Sequence, residues 1–325
     1  MAASQTIALF DVGSTNLRAT VGAPDGTFVT DVHRERTDLE GLPTQCCRLL
    51  EDLRTKPGVD GIDAVSIACA GLIDETTGVL AEIDTPDDDV VTDLRLGPTI
   101  ENRFDLPVRL ENDCTAAALA EWVYGAGRTA DCVVHLTMGT GIGAGVVDRG
   151  HVVRGTAGHA AEVGLFPIGP PDRESSGIPG AWEAYCSGRG IAGFVADLLE
   201  TESRETVLAG PEAVTARDVF DAVDRGDPVA DDYLDRIARY NAAGLGTLVN
   251  AYNPDLVTVG GGVGATNFET ILERTRPHIE EYALPAIPDI QPTRLGDEIG
   301  LYGALAPYAS QGETAASRPI PTITD

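Results

Sequence analysis

An amide and a carboxylate, Asn112 and Asp113, stand where a short apolar strand (107–110) runs into an Ala-rich helix (116–124). A carboxylate at that turn is suited to take a proton from a hydroxyl, while the amide binds a neighbouring hydroxyl. Asn and Asp at a helix start are also ordinary N-caps. Two further carboxylates, Glu162 and Glu183, lie in mostly apolar surroundings, His159-Ala160-Ala161-Glu162-Val163-Gly164 and Ala181-Trp182-Glu183-Ala184-Tyr185. A carboxylate facing a core is costly unless it is paired or binds something. Both suit a bidentate grip on vicinal hydroxyls, although Glu183 also reads as a solvent-facing helix position. His159, among small residues, reads as a surface or satisfied histidine.

A second kind of chemistry is written in glycine. Residues 133–147 hold an apolar run, a turn with Gly139, Gly141, Gly143 and Gly145 at every second position, and a second apolar run. That is a strand, a tight turn and a returning strand, with backbone N–H groups open to a bulky anion such as a phosphate. The same device follows Ile7-Ala8-Leu9-Phe10 in Asp11-Val12-Gly13-Ser14-Thr15-Asn16-Leu17-Arg18. Overlaid, Gly13 meets Gly139, Ser14 meets Thr140 and Val21 meets Val147, so one unit is used twice. Each turn alone also fits a Gly-rich hairpin without a ligand; two of them suit a polyphosphate held from opposite sides.

Phosphoryl transfer needs a phosphate cradle with a metal, a base for the acceptor hydroxyl, and a site closed to water. The hairpins supply the cradle. Asp11 is placed to hold Mg²⁺ through water, or simply to cap its turn, and Asp113 is the candidate base. A further run, Gly260-Gly261-Gly262-Val263-Gly264 after a buried strand, fits close backbone approach to a nucleoside, or an ordinary strand-to-helix turn.

The elements that position these residues alternate. Strand-turn-strand pairs at 6–31 and 133–147, buried strands at 64–70 and 255–259, and helical patterns at 38–57, 94–104, 116–124, 181–200, 216–223 and 228–249 predict two related α/β domains with a ligand cleft between them. The predicted division is 1–110, with a helix and tail from 300–325 packing back on it, and 111–299. Residues 74–93 read as a polar region. The Pro/Gly/Ser stretch 167–180 reads as a lid or a surface excursion, and the tail from about 311 as loose.

The 325 residues carry 51 acidic and 23 basic side chains, a formal charge of −28 without a single acidic tail. That balance opposes nucleic acid and acidic membranes as partners. Lys56 is the only lysine, and acidic, Arg-dominated chemistry also fits a high-salt cytoplasm, where the Debye length falls to roughly 3 Å at 1 M salt. Six cysteines show no C-x-x-C spacing, which disfavours both a zinc site and a disulfide framework. The start lacks a basic n-region and no apolar run reaches membrane length, so a cytoplasmic protein is expected.

At these residues, over about 6–310, the chain resembles the ROK family of sugar kinases within the actin-like ATPase superfamily. The resemblance rests on Asp11-x-Gly13-x-Thr15-x-x-Arg18, Glu111-Asn112-Asp113 with Ala117-Ala118-Leu119-Ala120-Glu121, Gly139-Thr140-Gly141-Ile142-Gly143-Ala144-Gly145, Ala160-Ala161-Glu162-Val163-Gly164, and Asn253-Pro254-Asp255 leading to Gly260-Gly261-Gly262. It implies two ribonuclease H-like (actin-like ATPase) domains and ATP- and Mg²⁺-dependent phosphorylation of a hexose, usually at the 6-hydroxyl. Asp113 would be the base, Asn112, Glu162 and Glu183 would surround the sugar, Gly13, Thr15, Gly139, Thr140 and Gly141 would line the phosphates, and Gly261 and Gly262 the adenosine. Homodimers are usual in the family.

Departures accompany the match. Leu165 stands where the family places a zinc-binding histidine that also touches the sugar, and Arg173-Glu174-Ser175-Ser176-Gly177-Ile178-Pro179-Gly180 replaces its cysteine cluster, so no structural zinc is expected. Asp87, in Thr85-Pro86-Asp87, replaces a sugar-binding Asn, and Thr115 a second one. Glucose is the first expectation for the substrate, an N-acetylhexosamine or fructose the alternative. A non-catalytic sugar sensor is a reading of another class. The family's repressors carry an N-terminal DNA-binding domain, whereas here the first strand begins near Thr6.

Overall fold

The computed structural model describes residues 5–85, 89–210 and 213–309. In chain order the elements are β1 (Ile7–Val12), β2 (Asn16–Gly22), β3 (His33–Arg36), α1 (Leu42–Arg54), β4 (Ala64–Cys69), β5 (Leu72–Asp74), β6 (Val79–Asp84), β7 (Val90–Leu94), α2 (Leu96–Phe104), β8 (Val108–Asn112) and α3 (Asp113–Val123). There follow β9 (Cys132–Met138), β10 (Ile142–Asp148), β11 (His151–Val152), β12 (Glu174–Ser175), β13 (Ile178–Pro179), α4 (Glu183–Cys186), α5 (Gly188–Thr201), α6 (Ala216–Asp224), α7 (Pro228–Tyr252), β14 (Leu256–Gly260), α8 (Gly262–Thr266), α9 (Phe268–Ile279), β15 (Asp289–Pro292) and α10 (Ile299–Leu305).

The chain divides into two units, one of Met1–Val133, Gly145–Ala160 and Arg294–Asp325, the other of Val134–Ala144 and Ala161–Thr293. The division differs from the predicted boundary at residue 110. Helix α3 lies on α10 and its residue Ala116 belongs to the same apolar cluster as Ile7 and Leu9 of β1, so the segment after Asp113 stays with the first unit. The predicted return of the C-terminal helix is α10, whose Leu301, Ala304 and Leu305 complete that cluster. Residues 310–325 and the expected sugar contact Asp87 lie outside the described residues.

In the first unit the sheet order is β3-β2-β1-β4-β8. β1 is antiparallel to β2 and parallel to β4, which is parallel to β8. Because side chains alternate across a strand, β1 serves two cores. Ala8, Phe10 and Val12 pack with Leu42, Leu49 and Leu50 of α1 and Ile100 of α2, while Ile7 and Leu9 face α3 and α10. The central strands β1 and β4 are therefore nearly continuous buried runs, as expected where helices cover both faces of a sheet, while the edge strand β3 is charged and open to solvent.

The second sheet runs β11-β10-β9-β14-β15, the same sequence of hairpin, third strand and two further strands. The division between units crosses the β9–β10 hairpin, so the repeat seen in the glycine turns extends to whole sheets. In its middle, His135 of β9 and Thr258 of β14 form a buried pair, Nδ1 to Oγ1 at 2.9 Å, and burial pushes the imidazole down to about 4. The long α7 starts at Asp227, whose carboxylate accepts from the Val229 and Ala230 amides, and ends at Asn253 in the left-handed conformation. Gly244 lets it meet Trp182, where a Cβ would come within 2.2 Å of the indole.

Two stretches differ from expectation. The polar region 74–93 holds β6, most of β7 and the last residue of β5, strands of a small three-stranded sheet in which Leu80, Ile83 and Leu94 are buried and Glu82, Asp84 and Asp93 exposed. The segment 167–180 is neither bare loop nor free lid. Arg173 donates through Nε to Ala184 O at 3.1 Å and pairs with Asp197, and Tyr185 donates its hydroxyl to Pro170 O at 2.7 Å.

Candidate active site

The first unit's glycine turn is a close hairpin in which Gly13 N–H donates to Asn16 O at 3.0 Å. Thr37 buttresses it, its hydroxyl donating to Gly13 O at 2.7 Å and its amide to Thr15 O at 3.0 Å. Thr15 itself is exposed, so its hydroxyl faces outward from a fixed backbone. Across the hairpin Asp11 pairs in register with Arg18, and the side chains form an ion pair, Nη1 to Oδ2 at 2.9 Å. Burial nevertheless pushes the Asp11 carboxyl up to about 6; Arg18 opposes the rise, and the charges of Asp113 and Asp297 add to it.

Asn112 and Asp113 sit where β8 ends and α3 begins. Asn112 is the N-cap, its Oδ1 accepting from the Cys114 and Thr115 amides at 3.0 and 3.1 Å. The capping reading therefore accounts for its carbonyl, and its Nδ2 donates toward Gly71 O at 3.4 Å. Asp113 Oδ1 accepts from the Cys114 amide at 2.9 Å, and the Cys114 side chain also bonds to the carboxyl. Burial raises its pKa, with the Cys114 N–H bond opposing. A carboxylate that is desolvated, oriented by one amide and unpaired by any cation is what proton abstraction from a hydroxyl requires.

In the second unit the β9–β10 turn is held from two sides. The first amides of α5 donate to it, Gly188 N to Gly139 O at 2.8 Å and Arg189 N to Thr140 O at 3.3 Å. Glu183 then anchors it, Oε2 accepting from the Ile142 amide at 3.0 Å and Oε1 from the Ser175 hydroxyl at 2.6 Å. Glu183 is thus neither a solvent-facing residue nor a loose ligand, and its remaining lone pairs are what it offers a hydroxyl.

The glycines separate by function. A Cβ on Gly141 would come within 2.9 Å of the Glu183 carboxylate, and one on Gly145 within 2.1 Å of Cys114 O, so both are small for packing. Gly261 has φ +80° and lies against the Met138 backbone. Around Gly139 and Gly262, in contrast, a Cβ would meet nothing within 4 Å. No neighbour demands glycine there, and the backbone at both positions is open to close approach.

Glu162 is exposed and follows Ala161, a residue with φ +67°. Tyr252 at the end of α7 reaches the Ala161 backbone and feels the Glu162 charge. Arg18 and Glu111 stand in the motifs quoted from the sequence but had no individual role there, and sequence reasoning gave none to Asp297, Ser175, Gly188 or Arg154. Among the described residues no group of three or more His, Cys, Asp or Glu is arranged to hold a metal ion.

Twin sheets of shared order, each opening with a glycine-turn hairpin, define an α/β protein of the actin-like ATPase fold. The chain matches the ROK family over residues 7–310 and belongs to that family. A glucokinase of Halalkalibacterium halodurans is 36% identical over 220 residues, 65% of this chain and 66% of that one. The structure of a ROK family glucokinase from Streptomyces griseus in complex with glucose and AMPPNP superposes with a TM-score of 0.75 at 28% identity, covering 94% of this chain and 100% of that one. A ROK family transcriptional regulator, a homolog of the E. coli MLC protein, superposes with a TM-score of 0.80 at 24% identity over 94% and 78% of the two chains, a likeness of fold.

Proposed function

We propose that the protein is an ATP-dependent hexose kinase, acting first on glucose at the 6-hydroxyl. The observation that carries the reading is Asp113, a buried carboxylate at a helix start with no cation paired to it, directly after the capping residue Asn112. Asp113 takes the hydroxyl proton as the sugar oxygen bonds to the terminal phosphorus and the bond from that phosphorus to the bridging oxygen of ADP breaks; ADP departs with those electrons, and the proton stays on the carboxyl until product leaves. Asn112, Glu162 and Glu183 bind the sugar hydroxyls, with Asp87 assigned there by sequence alone. Gly13 and Thr15 with Gly139, Thr140 and Gly141 line the phosphates, and Gly261 and Gly262 the adenosine.

Magnesium fits Asp11. Burial holds this hard carboxylate near 6 even with Arg18 paired to Oδ2 and with Asp113 adding to the rise, and a cation that arrives with the nucleotide and keeps its waters needs few protein ligands. Bound there, the ion would neutralise charge on the phosphates. Zinc has no assigned part, and metal analysis finding about one zinc per chain would overturn that. We also infer a homodimer and a cytoplasmic protein of a halophile.

Likeness to a glucokinase and to a structure holding glucose and AMPPNP supports the reading. Leu165 and Asp87 keep an N-acetylhexosamine or fructose as alternative substrates. The same two departures, Asp87 and Leu165, also favour one other reading, a sugar sensor without catalysis. ADP release over a panel of hexoses in molar KCl separates them: turnover with one sugar supports the kinase, and none, alongside measurable ATP binding, supports the sensor.

A further inference from the structure

Glu111, the residue before Asn112, is only 1% exposed. Its carboxylate is met by Arg154 in a bidentate pair, Nη1 to Oε1 at 2.6 Å and Nη2 to Oε2 at 2.7 Å, and by Arg109 Nη2 at 3.2 Å. Arg154 Nη1 also reaches Glu75 Oε1 at 2.7 Å, in the turn between β5 and β6. The same residue closes a loop by its backbone, Ala160 N donating to Arg154 O at 3.1 Å, with Gly155 and Gly158 turning at positive φ. Arg154 stands more than forty residues along the chain from Glu111, and its guanidinium joins the end of β8 to that loop and to the β5–β6 turn, where Glu75 also bonds to Glu111.

We propose that Arg154 is a positioning residue for the general base, fixing the β8–α3 turn through Glu111 so that Asp113 is held on line with its hydroxyl. This rests on the kinase reading above. A buried carboxylate needs compensation, and the two oxygens of Glu111 are held by the planar fork of an arginine, which a point charge does not reproduce. Glu111 pairs with Ala68 of β4 and Asn112 with Cys69, so a Glu111 side chain released toward water would pull on the two residues that follow it. Displacing a catalytic group by about 1 Å can cost on the order of 10²-fold.

Three variants test this, R154K, E75Q and the double variant R154M/E111Q, each read by kcat, KM for ATP and hydrogen exchange at the Cys114 and Thr115 amides that Asn112 caps. R154K keeps the charge and loses the fork, and the double variant removes the buried charge with its partner, which restores melting temperature toward wild type. Expected for both is a kcat lower by about tenfold or more, a KM for ATP within about twofold, and faster exchange at the two amides; E75Q, which leaves the bidentate pair intact, matches wild type in all three. Wild-type kcat and exchange in R154K and in the double variant would make the pair a stability element alone and overturn the proposal. If wild type shows no turnover with any sugar, the kinase reading fails, and the exchange rates decide by themselves whether Arg154 sets this turn.

Discussion

Asp11 and Asp113 show how much of a site resides in single side chains. Folding moves Asp11 from 3.8 to about 6, so its folded pKa lies above the unfolded one. The protonated form is favoured in the fold, and that stability is complete below about pH 4 and lost as pH rises through 6. Roughly two units amount to about 3 kcal/mol. Asp11→Asn should therefore melt about 4 °C above wild type at pH 8 and level with it at pH 4, while losing Mg²⁺-dependent turnover. Calorimetry at the two pH values checks the first, and a melting temperature lowered at pH 8 contradicts it. For Asp113 the shift is upward through burial, so kcat falls on the acid side at a pH above the ordinary carboxylate range. The acid limb of a kcat profile measures this, and a limb at or below pH 3.8 contradicts it.

At the scale of elements, the glycine hairpins join two roles in one motif, and substitution separates them. Gly139→Ala and Gly262→Ala enter open space and should leave melting temperature unchanged while raising KM for ATP about tenfold, some 1.4 kcal/mol of binding. Gly141→Ala meets the Glu183 carboxylate and should lower melting temperature itself. Equal effects of all three on stability would remove the distinction. These hairpins were legible because spacing alone sets them: β1 and β9 end one residue before Gly13 and Gly139, and β2 and β10 begin three residues after. Helix α7 was legible from Asp227-Pro228 and Asn253. The β5–β7 sheet was not, because its outer face is charged and its burial is one-sided. Nor were Glu183's bonds to Ile142 and Ser175, since a carboxylate's partners come from segments 8 and 41 residues away.

The whole molecule carries −28, and its arginines are spent on dense acidic clusters such as Glu202, Asp232, Arg204 and Arg236 on and beside α7. Surplus like charge destabilises a compact state and salt screens it, so melting temperature and kcat should rise together with KCl into the molar range; a protein most stable near zero salt contradicts this. No described helix is long and apolar enough to cross a membrane. The twofold use of one sheet and one hairpin gives this chain two glycine turns and a single base, and the account stands on that base acting on a sugar. The most direct measurement is ADP release with glucose in molar KCl for wild type and Asp113→Asn, with ATP affinity measured on both. The account predicts turnover in wild type, a loss of about 10²- to 10⁴-fold in the variant and equal ATP affinity. A variant that keeps more than about a tenth of wild-type kcat, a rate far above what loss of a general base allows, contradicts it.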